Sequence, residues 1–348
     1  MRRLSVIIPV LDEAEQLPAL FDALAAQREV DLEIIVADGG SHDASRLIAA
    51  RHGAEVIAAE TGRAQQMNAG AARAHHDWLL FLHADSHPPG ADQLAEALVI
   101  LEGEPPRTAG HFALRFQRQT REHGFLYRYM EAKSASNRRY TINGDQGLLI
   151  RRDWFRELGG FDPALPFLED QRMAAAIHAQ GRWLRLPGRL TTSARRFERE
   201  GPRQRYLLMA IIMVAHVTDL TGFFEAAPTV YRRQRDTDRL LITPYFRLLR
   251  QQVRQLDPSV RQAFRRRLGR FAAGQAWQIF FALDVLAEPL LRGRRPATTL
   301  HDRLLAPLLQ HPIAAALAAR LVIAISLTVI APWHRWRERR ALRGAGSA

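Results

Sequence analysis

The N-terminal part of the chain alternates short apolar runs with amphipathic stretches, and most of these runs lead into a polar cluster. Val6-Ile7-Ile8-Pro9-Val10 is followed by a helical pattern from Leu17 to Ala26, and Leu32–Ala37 by another near Ala44–His52. A short run at Ala54–Ala58, a helical stretch from Arg63 to His75 and the run Trp78–Leu82 continue the alternation. Strand-length runs separated by roughly 10–15 residues of helical pattern predict βαβ units, hence an α/β fold with a mostly parallel sheet and flanking helices. Such sheets bind ligands in the crevice beyond the carboxyl ends of their strands. The polar residues just after each run are therefore where chemistry is expected.

Past Ala109 the alternation loosens. Ala109–Phe116 and Gln146–Ile150 read as strands, and Leu168–Gln180 as a helix closed by Gly181. Beyond Tyr231 strand signals fade, and Pro244, Pro258, Pro289, Pro296, Pro307 and Pro312 divide arginine-rich helical segments. The expected organisation is an α/β domain over residues 1–232 followed by a helical, basic region over 233–348. The apolar run after Met1-Arg2-Arg3 is too short for a signal-peptide core and reads as a buried strand.

Charge is unevenly spread. Residues 1–194 hold 22 Lys/Arg against 25 Asp/Glu, a net of −3, whereas residues 195–348 hold 27 against 11, a net of +16. Lys133 is the only lysine, so the basic region is built from arginine. Arginine-rich surface suits anionic lipid, diphosphate or nucleic acid, or reflects a compositional preference alone. No nucleic-acid reading motif accompanies it, so a nucleic-acid partner is not expected. The chain has no cysteine, which excludes disulfides, thiolate metal sites and a cysteine nucleophile, and fits a cytoplasmic setting.

Four polar clusters follow the apolar pattern in order: Asp12-Glu13, Asp38-Gly39-Gly40-Ser41-His42-Asp43, Gly62-Arg63 through Asn68, and His83-Ala84-Asp85. Each alone has a plain structural reading, as a turn, a helix cap or a helix start. Together they bring carboxylates, a glycine turn and an arginine to one edge of a parallel sheet.

This ordered set resembles the family 2 glycosyltransferases of the GT-A fold, in a bacterial branch with Gly-Arg-Ala-x-Gln-Met-Asn and Leu-His-Ala-Asp forms. The matching stretches are Ser5–Glu13, Asp38–Asp43, Gly62–Asn68 and Phe81–Asp85. The likeness continues through Gly144–Gly147, Leu158–Phe161, Glu169-Asp170 and Thr192–Arg196, and thins at Ala227–Arg232. It implies transfer of a hexose-type sugar from a UDP- or GDP-type nucleotide-sugar to an acceptor hydroxyl, with inversion at the anomeric carbon. Pro9, Asp12, Glu13, Asp38, Gly39, Arg63, Asn68 and Ala84 would then bind the nucleotide, and Asp145 and Gln146 would lie near donor sugar or acceptor. Asp85 would anchor a divalent cation, Mn2+ or Mg2+, both of which favour carboxylate oxygen.

Here the chain departs from the usual Asp-x-Asp metal motif, because His83 stands where a carboxylate is common. A neutral imidazole can ligate but brings one negative charge fewer; the alternative is that His83 points into the fold. Glu169-Asp170 reads from composition as an acidic pair favoured at a helix N-terminus. The resemblance makes Asp170 the base and Glu169 a positioning residue, and adjacent carboxylates in a dry site would raise at least one pKa. Arg195 and Arg196 either close over the diphosphate or begin the basic C-terminal surface. A transferase-like domain of weak or no activity, acting as a membrane-surface scaffold, is the competing reading.

Two later segments are strongly apolar. Tyr206–Val217 is too short to span a bilayer. Ile313–Ile330 reaches the minimum spanning length and is followed by Trp333 and Trp336 among arginines. Arg320 inside it would cost roughly 2.5–3.5 kcal/mol near a bilayer centre. A spanning helix, a helix lying on the cytoplasmic face of the inner membrane, and a helix packed in a soluble unit all remain open, and a lipid acceptor would go with either membrane reading.

Overall fold

A computed structural model describes residues 1–165, 167–232 and 240–345. Each N-terminal apolar run forms a strand: β1 (Arg2–Val10), β2 (Val30–Asp38), β3 (Glu55–Ala58) and β4 (Trp78–Phe81). The stretches between them form α1 (Leu17–Ala25), α2 (Ser45–Arg51) and α3 (Arg63–Arg73). There follow β5 (Ser86–His87), α4 (Gln93–Glu102), β6 (Thr108–Gln117), α5 (Gly124–Ser134), β7 (Leu148–Arg151), α6 (Arg152–Glu157), α7 (Glu169–Gln180) and β8 (Arg182–Ser193). These strands make an 8-stranded sheet in the order β3-β2-β1-β4-β7-β6-β8-β5.

The β3-β2-β1-β4 half is parallel, with Val10 paired to Asp38 and Ile7 to Phe81. Strand β7 runs antiparallel to β4, pairing Leu148 with Phe81. It therefore starts at the edge where β4 ends. This reversal carries the short 3-10 turn Gly144–Gln146 to the same sheet edge as His83–Asp85. Beneath that edge Phe81, Phe155 and Phe161 pack with ring centroids 4.8–5.4 Å apart. Met67, Ile150, Met173 and Ile177 extend this core between sheet and helices.

The sequence pattern did not anticipate β8. Pro187-Gly188 reads as a break, and arginines interrupt its apolar residues. The strand forms because it absorbs the break as a bulge: His111 pairs with Arg185 and Ala113 with Arg189, so Leu186, Pro187 and Gly188 together oppose Phe112.

The chain divides into two compact units, Met1–Arg121 with Tyr127–Ala194, and Glu122–Leu126 with Arg195–Ala348. The second unit is helical: α8 (Arg195–Glu200), α9 (Pro202–Val217), α10 (Thr221–Arg232), α11 (Thr243–Gln255), α12 (Pro258–Gly274), α13 (Trp277–Leu286), α14 (Glu288–Leu291), α15 (Pro296–Leu300), α16 (Ala306–Leu309), α17 (Pro312–Ile325) and α18 (Ala331–Ala345). Single π-helical turns at His301–Leu305 and Ser326–Ile330 join α15 to α16 and α17 to α18. Residue 232, where strand signals fade in the sequence, lies at the end of α10, whereas the last strand ends at Ser193. The architecture is thus the expected α/β domain followed by a helical, arginine-rich region.

Candidate active site

The carboxyl ends of β1 and β2 are stitched together by side chains. Asp12, at φ 55, accepts from the His42 N–H at 2.7 Å and the Asp43 N–H at 3.3 Å, and its own N–H donates to Ser41 Oγ at 3.0 Å. The Glu13 N–H donates to Ser45 Oγ, and the Ala14 N–H to Asp43 Oδ2. Burial acts against the Asp43 charge, but donors from Ser45 and Ala14 outweigh it and lower its pKa. Asp38, only 3% exposed, accepts from the Gly40 and Ser41 N–H groups, with Arg46 Nε 3.8 Å away. Its carboxylate sets the shape of the Gly39-Gly40-Ser41 turn, beside which Pro9 is half-buried.

Gln66 is the clamp that sequence reading passed over. Its buried Nε2 donates to Val10 O at 2.7 Å and Ala37 O at 2.8 Å, linking the ends of β1 and β2 from the first turns of α3. The signal was present in the Gly62–Asn68 stretch, but nothing in periodicity distinguishes Gln66 from its half-buried neighbour Gln65. Asn68 pairs both halves of its amide with the Phe161 backbone, at 2.7 and 2.9 Å, and so holds the Gly159-Gly160 loop.

Around His83 the charged residues converge. His83 is buried, and its Nδ1 lies 2.8 Å from Asp145 Oδ1. Asp170 Oδ2 accepts from the Gly144 N–H at 2.8 Å. Gly144 is squeezed between them: a Cβ there would lie 2.8 Å from His83 Cε1 and 2.9 Å from its Nε2. Only glycine allows the His83 ring so close to this turn. Below these groups a cavity bordered by Phe81, His83, Gly144, Asp170 and Met173 leaves about 20 Å³ for water centres, room for about one water.

Arg63, at the start of α3, keeps solvent contact within this crowded cleft. Crowding opposes its charge, yet Asp145, Glu169, Asp170 and Asp85 together raise its pKa further. The buried Glu169 carboxyl is pushed up, first by burial and then by Asp170, against the pull of Arg63 and His83. The raised carboxyl expected of the pair is therefore found on Glu169.

The other expected residues fall in different places. Ala84 is buried behind Asp85, which is half-buried. Gln146, expected beside the sugar, is wholly buried. Its Oε1 accepts from the Asn143 N–H, and its Nε2 donates to Ser134 O and to His111 Nδ1. Burial lowers the His111 pKa, consistent with a neutral ring that can accept there. Arg195 and Arg196 open α8 and belong to the helical unit.

Among the described residues no three His, Asp or Glu side chains form a metal-holding group by themselves. The donor chemistry nonetheless fits a divalent cation that is shared with a ligand. Asp145, Glu169, Asp170 and Asp85 all act on Arg63, and Asp85 would offer the carboxylate oxygen that a divalent cation favours.

Residues 5–159 match the model of glycosyl transferase family 2. That stretch, a little under half of the chain, is similar to a family 2 glycosyltransferase domain. It is 39% identical over 109 residues to a PGL/p-HBAD biosynthesis glycosyltransferase of Mycobacterium bovis, a stretch covering 29% of this chain and 43% of that protein. It is 27% identical over 177 residues to an uncharacterized glycosyltransferase of Haemophilus influenzae, covering 48% and 59% respectively. The chain thus spans less than two thirds of the length of these relatives. Among solved structures, it superposes on the mannosyltransferase PcManGT of Pyrobaculum calidifontis, in complex with GDP-Man and Mn2+, with a TM-score of 0.47, 18% identity, and coverage of 92% of this chain and 87% of that one. TarS of S. aureus in complex with UDP gives a TM-score of 0.46 at 15% identity, covering 92% and 90%.

Proposed function

We propose that this family 2 domain transfers a sugar from a nucleoside-diphosphate donor to an acceptor hydroxyl, with inversion at the anomeric carbon. The observation that carries the reading is the meeting of Arg63, His83, Asp85, Asp145, Glu169 and Asp170 at one sheet edge, beside the stitched 10–14 and 38–45 loops. Those loops would receive the nucleotide. Carboxylates such as Asp12 and Asp38 accept from base N–H and ribose hydroxyls, with Pro9, Glu13, Gly39 and Ala84 shaping the surface. Asn68 acts on this surface through the loop it holds.

In this reading Asp170 takes the proton of the acceptor hydroxyl as its oxygen bonds to the anomeric carbon and the bond to the diphosphate oxygen breaks. The Gly144 N–H orients Asp170 for that transfer. Arg63 would offset charge on the departing diphosphate. Glu169, buried beside Asp170 and with its pKa raised by burial, would act as a positioning residue. Asp85 and His83 would hold a Mn2+ or Mg2+ ion, which when bound would supply Lewis-acid stabilisation of the diphosphate. The acceptor is read as lipid-borne, at the cytoplasmic face of the inner membrane, because the helical unit exposes one helix long and apolar enough to meet a bilayer.

Calorimetric titration with UDP and GDP, with and without Mn2+, tests the donor site: metal-dependent binding is expected, and its absence overturns the reading. In a nucleotide-sugar screen with lipid extract as acceptor, Asp170→Asn should abolish transfer while keeping nucleotide affinity. Substantial residual turnover would remove Asp170 as base. Intact nucleotide binding with no transfer to any acceptor would favour the scaffold reading.

A further inference from the structure

The helical unit presents apolar and cationic surface side by side, and neither is consumed by its own packing. On α17 the buried positions are Ala315 and Ala319, which lie on Gly269 of α12. The contact is close, since a Cβ at Gly269 would come within 2.1 Å of Ala315 O. The rest of the helix faces outward: Ile313, Leu317, Leu321 and Ile325, every fourth residue, are all exposed. Only 11% of the most apolar window of Pro312–Arg340 is buried, far below what a core helix of a soluble unit needs.

Apolar exposure is not confined to this helix. Leu300, Leu304 and Leu308 repeat the four-residue spacing from α15 through the π-helical turn into α16, and Ile279, Leu283 and Leu286 are exposed on α13. Leu300 and Leu304 also form walls of an open cleft of about 600 Å³ whose other sides are Arg294, Arg295, Pro296, Thr299 and Arg303. No carboxylate lines it. Arg295 is held in place by Glu288 and lies over the Phe281 ring at 5.5 Å, whereas Arg294 and Arg303 form no ion pair among the described residues. Cationic groups beside exposed leucines suit a ligand with a phosphate head and an apolar tail.

We infer that the helical unit is a monotopic membrane-binding module that lays the α15–α17 apolar face on an anionic phospholipid surface, with Arg294, Arg295 and Arg303 receiving headgroup phosphate. This deepens the membrane-face reading above but does not depend on catalysis. Charge complementarity supports it: residues 195–348 carry 27 Lys/Arg against 11 Asp/Glu. So does the end of the long helix, where exposed Trp333 and Trp336 each lie under an arginine, Arg337 at 4.7 Å and Arg340 at 5.5 Å. Amphipathic aromatics with basic partners are what the headgroup layer accommodates. Spanning is disfavoured by α12. Its exposed Arg265, Arg266 and Arg270 flank Gly269, so a bilayer core around Ala315 and Ala319 would have to admit those arginines.

Flotation of the full chain with phosphatidylcholine vesicles, and with vesicles that also contain phosphatidylglycerol, tests the inference. Binding is expected on the anionic vesicles and to weaken with salt. Replacing Arg294 and Arg303 by Gln should lower that partitioning by about 30-fold, roughly 5-fold per arginine. Leu304→Asp with Leu317→Asp should abolish it, while nucleotide affinity, read at the α/β unit, stays unchanged and reports that the variants fold. Alkaline carbonate should strip the protein from native membranes. Equal binding to both vesicle types, no binding, or retention after carbonate overturns the inference. So does a dimer that the Asp variants dissociate without loss of vesicle binding, since the apolar face would then belong to a second copy of the chain.

Discussion

Gly144→Ala is the sharpest perturbation available at the site. Gly144 does not adopt a positive φ, so alanine brings no backbone strain of its own. The whole effect comes from the added Cβ, which would sit 2.8 Å from His83 Cε1, where ordinary contact begins near 3.4 Å. The ring must retreat by the difference, about 0.6 Å. A shift of that size is enough to take the 2.8 Å His83–Asp145 contact to the edge of hydrogen-bonding range. Overpacking of a well-filled site costs about 1–3 kcal/mol, which urea denaturation resolves. His83→Ala removes the obstacle. In that background Gly144→Ala should cost close to nothing, giving a coupling of about 1 kcal/mol or more in the double-mutant cycle. In the single variant transfer should fall more than nucleotide binding, because the disturbed groups are Asp145 and Asp170 rather than the loops after β1 and β2. An equal cost in both backgrounds, or a loss below about 0.5 kcal/mol in the single variant, would refute the argument.

Glu169→Gln tests the raised carboxyl. A carboxyl whose folded pKa lies above its ordinary 4.5 contributes stability below that value and loses it as pH rises through the folded pKa. The glutamine variant should therefore melt higher than wild type at pH 7–8, with the advantage vanishing near pH 4; a constant difference across a melting series would contradict burial as the cause. Gln66→Leu removes two buried hydrogen bonds, to Val10 O, which keeps the Gly39 N–H, and to Ala37 O, at about 0.5–1.5 kcal/mol each. Denaturation should show that loss and titration a weaker nucleotide complex, whereas unchanged nucleotide affinity would mean the strand ends hold their spacing without the clamp.

Much of the first unit was legible in the chain because local and global signals agree there. The runs at Val6–Val10, Leu32–Ala37 and Trp78–Leu82 became neighbouring parallel strands, and parallel pairing forced their polar followers to one edge. Where the signals conflict, reading failed. Strand β8 hid behind Pro187-Gly188, because a bulge opposite Phe112 is a matter of pairing, and pairing is not local.

The motif residues were identifiable from the chain, but their partners were not. Asn68 and Gln146 belong to motif stretches, yet their amides turn to the Phe161 backbone and to the His111–Ser134 region, because a buried amide must satisfy its hydrogen-bonding groups wherever the fold offers them. Sequence sufficed to order the carboxylates, to mark Arg63 and to foresee a raised carboxyl in the Glu169-Asp170 pair. Only the tertiary structure decided that the raised group is Glu169, that Gly144 admits the His83 ring, and that α17 spends two alanines on α12 and leaves its leucines outside. Those outcomes depend on distance and burial between segments far apart in the chain, which spacing along it does not encode.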